Sequence, residues 1–219
     1  MTSPKSQLFE KFADLARVLG HAHRLELLEH ASQGERPVER LAQLAGLSVA
    51  NASQHLRHLH RGGFVQSRRA GNRVLYRLGD GPILELLSAL RCYAERSRAE
   101  VREIVANHFA QLDRLEPISR KELLGRLQDS SVILLDVRPD DEFALGHLPG
   151  ALNMPLNELE RRLSELPKDQ EIIAYCRGPY CILSFEAVAT LRANGYKIRR
   201  LEDGFPEWKA AGLQVEAAA

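Results

Sequence analysis

The sequence lacks the features of a membrane or secreted protein. Its 219 residues contain no apolar run that approaches the roughly 18 residues of a membrane-spanning helix. The N-terminal segment Met1–Lys5 is not followed by the apolar stretch of a signal peptide. Three cysteines, Cys92, Cys176 and Cys181, are too few for a disulfide-stapled scaffold. We therefore expect a cytoplasmic protein with no membrane partner, whose cysteines are either reactive or buried.

Acidic residues are absent between Glu39 and Asp80. A segment of that length without a carboxylate favours a polyanionic partner, although a solvated basic face would have the same composition. Basic residues outnumber acidic ones in the first 115 positions, and the reverse holds in the remainder. This asymmetry fits two domains, 1–115 and 116–219, with a short join at Arg114–Pro117. The basic residues of the acid-free segment are Arg40, Arg57, Arg61, Arg68, Arg69, Arg73 and Arg77, with His55, His58 and His60 among them.

Apolar residues in the first half recur at helical spacing. They predict helices over residues 7–19, 23–32 and 38–45, and Ser48 is a good N-cap for a further helix that ends near Leu59. A short helix, a turn at Gly46 and a second helix with polar residues at its start form a helix-turn-helix pattern. Two alternating segments then flank Gly71-Asn72 and predict a β-hairpin with arginines near its tip.

These motifs resemble those of the winged-helix repressors of the ArsR family. The resemblance is carried by Leu44–Ser48, Ser53–Leu59, Gly63–Val65 and the Arg/Gly/Asn hairpin that ends at Tyr76. It implies a mainly α winged helix-turn-helix domain, a homodimer, and double-stranded operator DNA as a partner that is released when an inducer binds. Ser, Asn, Gln and Arg side chains read base edges or anchor phosphates. The residues expected to contact DNA are Ser48, Asn51, Ser53, Gln54, His55, Arg57, Arg68, Arg69 and Arg73.

The metal-sensor positions usual in that family are not filled in this sequence. Residues 38–42 include no cysteine, and Asp80 is followed by Gly81 and Pro82 rather than by an Asp-x-His pair. His21, His23 and His30 are close in sequence, but a metal site would need carboxylates to converge on them. We therefore predict no metal and no cofactor.

The segment after the hairpin predicts one long helix from Pro82 to about Leu112. About 30 residues in a helix extend roughly 45 Å, which is longer than so small a domain can cover. The surplus apolar surface predicts a partner helix and hence a dimer. Cys92 lies on this helix and is interpreted as a small buried apolar residue.

The second half alternates strands with helices, which predicts an α/β domain with a central parallel sheet. The strands are predicted at Val132–Asp136, Ile172–Tyr175 and Ile198–Leu201, and the helices over residues 120–127, 157–166 and 184–194. Cys176 falls at the carboxyl end of the second of these strands, where ligands of such sheets bind. It also precedes a helix N-terminus, which favours anions and lowers the pKa of a thiol.

Four motifs of this half resemble a single rhodanese domain. They are Asp136-Val137-Arg138, Gly146–Ala151, the loop Cys176–Cys181, and Gly204-Phe205 ahead of Trp208. The resemblance implies that Cys176 takes a sulfane sulfur from thiosulfate, polysulfide or a persulfide and becomes a persulfide. The loop amides would cradle the sulfur anion, Arg177 would help to attract an anionic donor, and Asp136 and Arg138 would support the site. The predicted catalytic set is Cys176, Arg177, Gly178, Tyr180 and Cys181.

Counting along the loop separates the possible chemistries. Phosphatases on this scaffold need Cys-x5-Arg, and the sixth residue after Cys176 is Ile182, so phosphatase activity is not expected. Rhodanese loops usually have glycine at the fourth position and a small hydroxyl residue at the sixth, whereas this loop has Pro179 and Cys181. Pro179 removes one amide donor. Cys181 fits a resolving thiol for a persulfide on Cys176, or a buried residue of the first helical turn.

The two halves together predict a dimeric DNA-binding repressor with a built-in sulfane sulfur sensor. Two alternatives remain at this stage. One is a thiosulfate or persulfide sulfurtransferase whose winged helix controls its own operon. The other is a thiol sensor that holds arsenite or another soft metal at Cys176 and Cys181.

Overall fold

The chain forms two structural units of different class. The computed structural model describes residues 3–110, 117–129 and 131–217. The two units are Met1–Ile83 and Leu84–Ala219. The join predicted at Arg114–Pro117 falls, apart from Pro117, outside the described residues, so the predicted domain boundary at 115/116 stays a prediction.

The first unit contains the predicted helix-turn-helix. The Ser48 side chain accepts a hydrogen bond from the Asn51 amide at 3.2 Å, which is the N-cap bond expected for the fourth helix. Leu41, Leu56 and Leu59 are fully buried and pack these helices on one core. The helices are α1 Pro4–Leu19, α2 Ala22–Ser32, α3 Val38–Leu44 and α4 Val49–Arg61.

A three-stranded antiparallel sheet completes this unit. Its strands are β1 Arg36–Pro37, β2 Val65–Ala70 and β3 Arg73–Leu78, in the order β1-β3-β2. Strands β2 and β3 form the predicted hairpin, and Gly71 in its turn has φ +61°, a conformation that favours glycine. The two-residue strand β1 is too short to leave a pattern in the sequence.

The second unit opens with a broken helix, so the prediction of one continuous helix is wrong. Helix α5 Ile83–Ser97 ends at Arg98, whose backbone is extended, with φ −118° and ψ 116°. The Arg102 guanidinium donates hydrogen bonds to the carbonyls of Glu95 (3.1 Å) and Arg96 (3.0 Å). These carbonyls are in the last turn of α5, where the break in the helix removes the usual amide donors. Helix α6 Ala99–Ile104 and a π-helical turn Val105–Ala110 follow, and residues 111–112 of the predicted helix are outside the described residues.

Cys92 on α5 is exposed, which corrects its interpretation as a buried residue. Helical spacing predicted that Cys92 lies on a helix. It could not predict which face of that helix is covered, because the covering residues are distant in sequence.

The rest of the second unit is the predicted α/β domain. Its sheet has four parallel strands in the order β5-β4-β6-β7. Alternate residues of β6 face opposite sides, so that Ile172 and Ala174 join one apolar cluster while Ile173 and Tyr175 join the other. The strands are β4 Val132–Asp136, β5 Leu152–Asn153, β6 Glu171–Tyr175 and β7 Ile198–Arg200.

Among the residues that the structure describes, five α-helices accompany this sheet. The fifth, which follows Gly204, contributes the buried side chains of Phe205 and Trp208 to the core. No helix among the described residues is both long and apolar enough to cross a membrane. The helices are α7 Arg120–Gln128, α8 Asp140–Leu145, α9 Leu156–Arg162 with a 3-10 turn Leu163–Glu165, α10 Ile182–Ala193 and α11 Phe205–Ala210.

Candidate functional sites

The loop between β6 and α10 brings two cysteines together. Cys176 is the first residue after β6 and is 2% exposed, and Cys181 is the N-cap residue of α10 and is 7% exposed. Their Cα atoms are 6.2 Å apart and their sulfur atoms are joined as a disulfide. This Cα separation is within the ordinary range for such a bond. The loop can therefore hold the two sulfur atoms in bonding contact.

Backbone hydrogen bonds fix both ends of the loop. The Phe205 amide donates to the Cys176 carbonyl at 3.0 Å, and the Ser184 amide and hydroxyl donate to the Cys181 carbonyl at 3.2 and 2.9 Å. The Cys181 amide donates to the Gly178 carbonyl at 3.1 Å. In this disulfide form the Cys181 amide is therefore engaged within the loop, and Pro179 has no amide to contribute.

Arg177 in the loop is paired with a buried carboxylate. Its Nε lies 3.0 Å from both carboxylate oxygens of Glu142, and its Nη2 lies 2.8 Å from Oε1. The Glu142 side chain is fully buried and that of Arg177 is largely buried. This pair holds one side of the loop against α8. The sequence did not identify Glu142, because nothing in its pattern separates it from the neighbouring acids Asp140 and Asp141.

Asp136 and Arg138 form a second buried ion pair. Arg138 Nη2 lies 2.6 Å from Asp136 Oδ2 and 2.8 Å from the Gly146 carbonyl, so the pair ties the end of β4 to the Gly146 turn. The guanidinium carbon is 4.4 Å from the centre of the Phe205 ring. Burial acts to lower the pKa of Arg138, but the hydrogen bond and charge of Asp136 outweigh it, so the net pKa is raised. These contacts suit the supporting role predicted for both residues.

Helix α4 presents much of the predicted DNA-contacting set on its surface. Asn51, Gln54 and Arg57 are exposed, as is Ser48, although the Ser48 hydroxyl is used by the N-cap bond. Ser53 and His55 are half-buried. The structure thus groups these six side chains on the first three turns of one helix and its cap.

The arginines of the β2–β3 hairpin differ in their ion pairing. Arg68, Arg69 and Arg73 are all exposed near the tip. Arg68 forms an ion pair with Glu35 through two hydrogen bonds, of which the Nε–Oε1 bond is 2.8 Å long, and this hydrogen bonding raises the pKa of Arg68. Glu35 lies outside the acid-free segment, so the charge pattern did not predict that it would neutralise part of the hairpin.

A groove of about 550 Å³ lies between α4 and the hairpin. Arg61 and His60 from the end of α4 and Tyr76 from β3 extend the polar surface beyond the predicted set. Burial raises the pKa of Tyr76 against the opposing charge of Arg57, so the phenol remains a neutral donor. The lining residues are Gln54, Arg57, His58, His60, Arg61, Ser67 and Tyr76.

Three histidine rings meet beside α4. The centre of the His55 ring is 4.4 Å from that of His21 and 5.7 Å from that of His23. Burial first, then the charges of His21 and His23, lower the pKa of His55. Within residues 3–110, 117–129 and 131–217, no group of three or more His, Cys, Asp or Glu residues is arranged to hold a metal ion.

Comparisons with known proteins follow this division into two units. The family model for the rhodanese-like domain matches residues 119–211. Over 215 residues the chain is 39% identical to the HTH-type transcriptional regulator Rv0324 of Mycobacterium tuberculosis. This alignment covers 98% of this chain and 94% of that protein. The chain belongs to this family of ArsR-type winged helix-turn-helix regulators with a C-terminal rhodanese domain.

Two further similarities each concern one half of this regulator. A sulfurtransferase of Allochromatium vinosum is 36% identical over 102 residues, which cover 46% of this chain and 94% of that protein. The homodimeric winged helix-turn-helix DNA-binding domain of a possible ArsR-family regulator from Mycobacterium bovis is 30% identical, with a TM-score of 0.42, and the match covers 46% of this chain and 93% of that one. The regulator relative that matches nearly the whole chain confirms the predicted family, and the helices and sheets described above confirm the predicted fold class.

Proposed function

We propose that the protein is a dimeric repressor that binds double-stranded operator DNA and releases it when sulfane sulfur reacts at Cys176. The observation that carries this proposal is the contact between Cys176 and Cys181 at the end of β6. Such a pair can react with a sulfur donor and keep the result as a covalent modification of the loop after the donor has left. The regulator relative that matches nearly the whole chain supports the DNA-binding half of the proposal.

The chemistry begins with the Cys176 thiolate as nucleophile. It attacks the outer sulfur of thiosulfate, the sulfur–sulfur bond of the donor breaks, and sulfite leaves with the electron pair. A persulfide anion then remains on Cys176, near the amides of Arg177, Gly178 and Tyr180. Asp136 and Arg138 hold the end of the neighbouring strand in place.

The second step uses Cys181 as the resolving thiol. Its sulfur attacks the Cys176 sulfur, the persulfide bond breaks, and hydrosulfide leaves with the electron pair. The two thiols are oxidised to the disulfide and the sulfane sulfur is reduced, so no other oxidant is needed. The disulfide between Cys176 and Cys181 supports this step, because it is the bond that the step would form.

The DNA-binding half would use α4 and the hairpin. The exposed Asn51, Gln54 and Arg57 would meet base edges and phosphates in the major groove, with Ser48, Ser53 and His55 beside them. Arg69 and Arg73 would bind phosphates alongside, and Arg68 would do so less strongly because it is paired with Glu35. Because operator DNA lies in the cytoplasm, the proposal also places the protein there.

A second copy of the chain would cover the apolar faces of α1 and α5. No residue of α1 is buried, and its exposed apolar side chains include Phe9 and Phe12, each 59% exposed. Exposed apolar residues in such a set mark an interaction surface. The exposed apolar residues of the two helices are Leu8, Phe9, Phe12, Leu15, Leu86, Leu90 and Tyr93.

The test compares operator binding by the reduced and the sulfur-treated protein. A duplex selected from random sequence by the reduced protein would serve as operator, and binding would be followed by fluorescence anisotropy. We expect polysulfide to weaken binding by about tenfold or more, a usual size for coupling between two sites. Dithiothreitol should restore binding. Equal affinity before and after treatment, or an unchanged response in Cys176→Ser, would contradict the proposal.

A sulfurtransferase is the second candidate, and the similarity to the Allochromatium protein favours it. It predicts sustained turnover of thiosulfate and cyanide, with operator binding that ignores sulfur. The same binding assay with arsenite and peroxide as parallel additions separates sulfane sulfur sensing from soft-metal or general oxidant sensing. Release by arsenite alone would favour the metal sensor.

A further inference from the structure

An arginine from α5 lies at the cysteine loop. Arg91 Nη2 is 2.9 Å from Glu207 Oε1, and Arg91 Nη1 would be 3.7 Å from a Cβ atom at Gly178. Both contacts are within the unit Leu84–Ala219. The Arg91 side chain is 27% exposed, so its guanidinium is partly open to solvent. The sequence assigned no role to Arg91.

The other arginines near the loop are held by different groups. Arg177 is paired with the buried Glu142, and Arg138 is paired with the buried Asp136. Arg200 directs Nη1 to the carbonyls of Pro179 (3.4 Å) and Leu201 (3.2 Å) and lies 4.2 Å from the centre of the Phe185 ring. Arg91 differs from these three because its side chain is more exposed, at 27% against 14% for Arg177 and 0% for Arg138, while Arg200 is buried.

Glu207 connects Arg91 to the backbone of the loop. Its second oxygen, Oε2, accepts a hydrogen bond from the Gly204 amide at 3.1 Å, and Gly204 lies against the backbone of Arg177 and Gly178. An unpaired carboxylate at this place would repel any anion in the loop. The positive charge of Arg91 removes that repulsion and leaves guanidinium hydrogen-bond donors that face the loop.

We propose that Arg91 determines the preference of the loop for anionic sulfane sulfur donors. It neutralises Glu207, binds the anionic group of the donor and offsets the charge of the persulfide that Cys176 forms. With thiosulfate, the group bound by Arg91 is the sulfonate that leaves as sulfite when the sulfur–sulfur bond breaks. This inference rests on the proposed reaction of Cys176 and names the donor class that the same site takes.

The test measures the rate at which free Cys176 is lost with a charged and an uncharged donor, whether the product is a sulfur adduct or the disulfide with Cys181. Reduced full-length protein would be mixed with thiosulfate, a dianion that leaves a persulfide on Cys176 as sulfite departs, or with dimethyl trisulfide, which has no charge. The trisulfide leaves a methyl disulfide or methyl trisulfide on Cys176 as methyl persulfide or methanethiolate departs. The modified Cys176 peptide would be quantified by mass spectrometry after alkylation, which separates it from the exposed Cys92. In Arg91→Ala we expect the thiosulfate rate to fall by about tenfold, as for loss of one charge-assisted hydrogen bond, and the trisulfide rate to stay within about twofold.

Two further variants make the charge argument specific. Arg91→Lys should keep most of the thiosulfate rate because the positive charge remains. Glu207→Gln in the Arg91→Ala background should recover part of that rate, because the repelling carboxylate is gone. Arg96→Ala on the same helix is the matched control, since it removes an exposed arginine, and it should leave both rates unchanged.

The outcomes distinguish this inference from the reaction on which it depends. If the wild type reacts with both donors and Arg91→Ala slows them equally, Arg91 has a structural role and the inference is wrong. An unchanged thiosulfate rate in Arg91→Ala also overturns it. If Cys176 of the wild type reacts with neither donor, the proposed function itself fails.

Discussion

A Cβ atom on Gly204 would lie 2.4 Å from the backbone nitrogen of Gly178, so these two backbones touch directly. The contact places the turn before α11 against the cysteine loop. It also explains a glycine that the sequence motif contained without a stated role. Any other residue at position 204 would push on backbone atoms, which cannot rotate away as a flexible side chain can.

Gly204→Ala should therefore displace the cysteine loop. We expect the rate of persulfide formation on Cys176 to fall by about tenfold or more and the free energy of unfolding to drop by about 1–3 kcal/mol, as for other overpacked sites. The control is Gly125→Ala in α7, where a Cβ would meet no atom within 4 Å. That change should be neutral or stabilise the protein by about 0.5–1 kcal/mol. Equal effects in the two variants would contradict the argument.

Glu142→Gln should destabilise the protein through Arg177. The substitution removes the Glu142 charge from beside the largely buried guanidinium, and we expect a loss of about 2–3 kcal/mol in chemical denaturation. Asp140→Asn, on the same helix turn but exposed, should cost no more than about 1 kcal/mol. A loss in Glu142→Gln no larger than that of the control would show that the ion pair does not hold the loop.

The hairpin arginines should differ in their effect on DNA binding. Arg73→Ala should reduce the slope of log affinity against log salt concentration by about 1, as for loss of one phosphate contact. Arg68→Ala should change the slope by less than half as much, because Glu35 already neutralises Arg68. Glu35→Gln should strengthen binding at low salt. Similar slopes for the two arginine variants would rule out the neutralisation by Glu35.

His55 should make the stability of the first unit depend on pH. Its pKa is lowered in the folded protein, so between that pKa and the unfolded value of about 6.5 the unfolded chain binds more protons. Stability is therefore lost as the pH falls below about 6.5 and is regained as it rises above that value. Urea unfolding at a series of pH values from about pH 5 to about pH 8 should show the free energy of unfolding rising with pH. This dependence on pH should be weaker in His55→Gln and should match the wild type in His60→Gln.

Phe12→Asp should dissociate the proposed dimer. A carboxylate placed among the exposed apolar residues of α1 would be buried without a partner, and we expect the dimer dissociation constant to rise at least about tenfold. Gln7→Asp adds the same charge on α1 outside the set of exposed apolar residues, and it should change the dimer dissociation constant little. Analytical ultracentrifugation measures the dissociation constants of both variants. A Phe12→Asp protein that sediments like the wild type would exclude this face as the interface.

Local patterns in the sequence predicted most of the architecture. The N-cap at Ser48 was confirmed, as were the Gly71 hairpin and the strands β4, β6 and β7, because each depends on residues close in the chain. The two-residue strands β1 and β5 were missed because two residues are too few to leave an alternating pattern in the sequence. The break at Arg98 was also missed, because the Arg102 side chain that satisfies the end of α5 gives no signal in the apolar spacing.

The sequence by itself determined the family, the two fold classes and the position of Cys176 at the end of a strand, since motifs and periodicity are properties of neighbouring residues. Tertiary structure decided how the charges are paired. It showed that Arg177 is paired with Glu142 and Arg68 with Glu35, and that Arg91 reaches the loop beside Glu207. It also brought the two sulfur atoms together. Ion pairs and burial depend on distances between residues that are remote along the chain, and those distances exist only once the chain has folded.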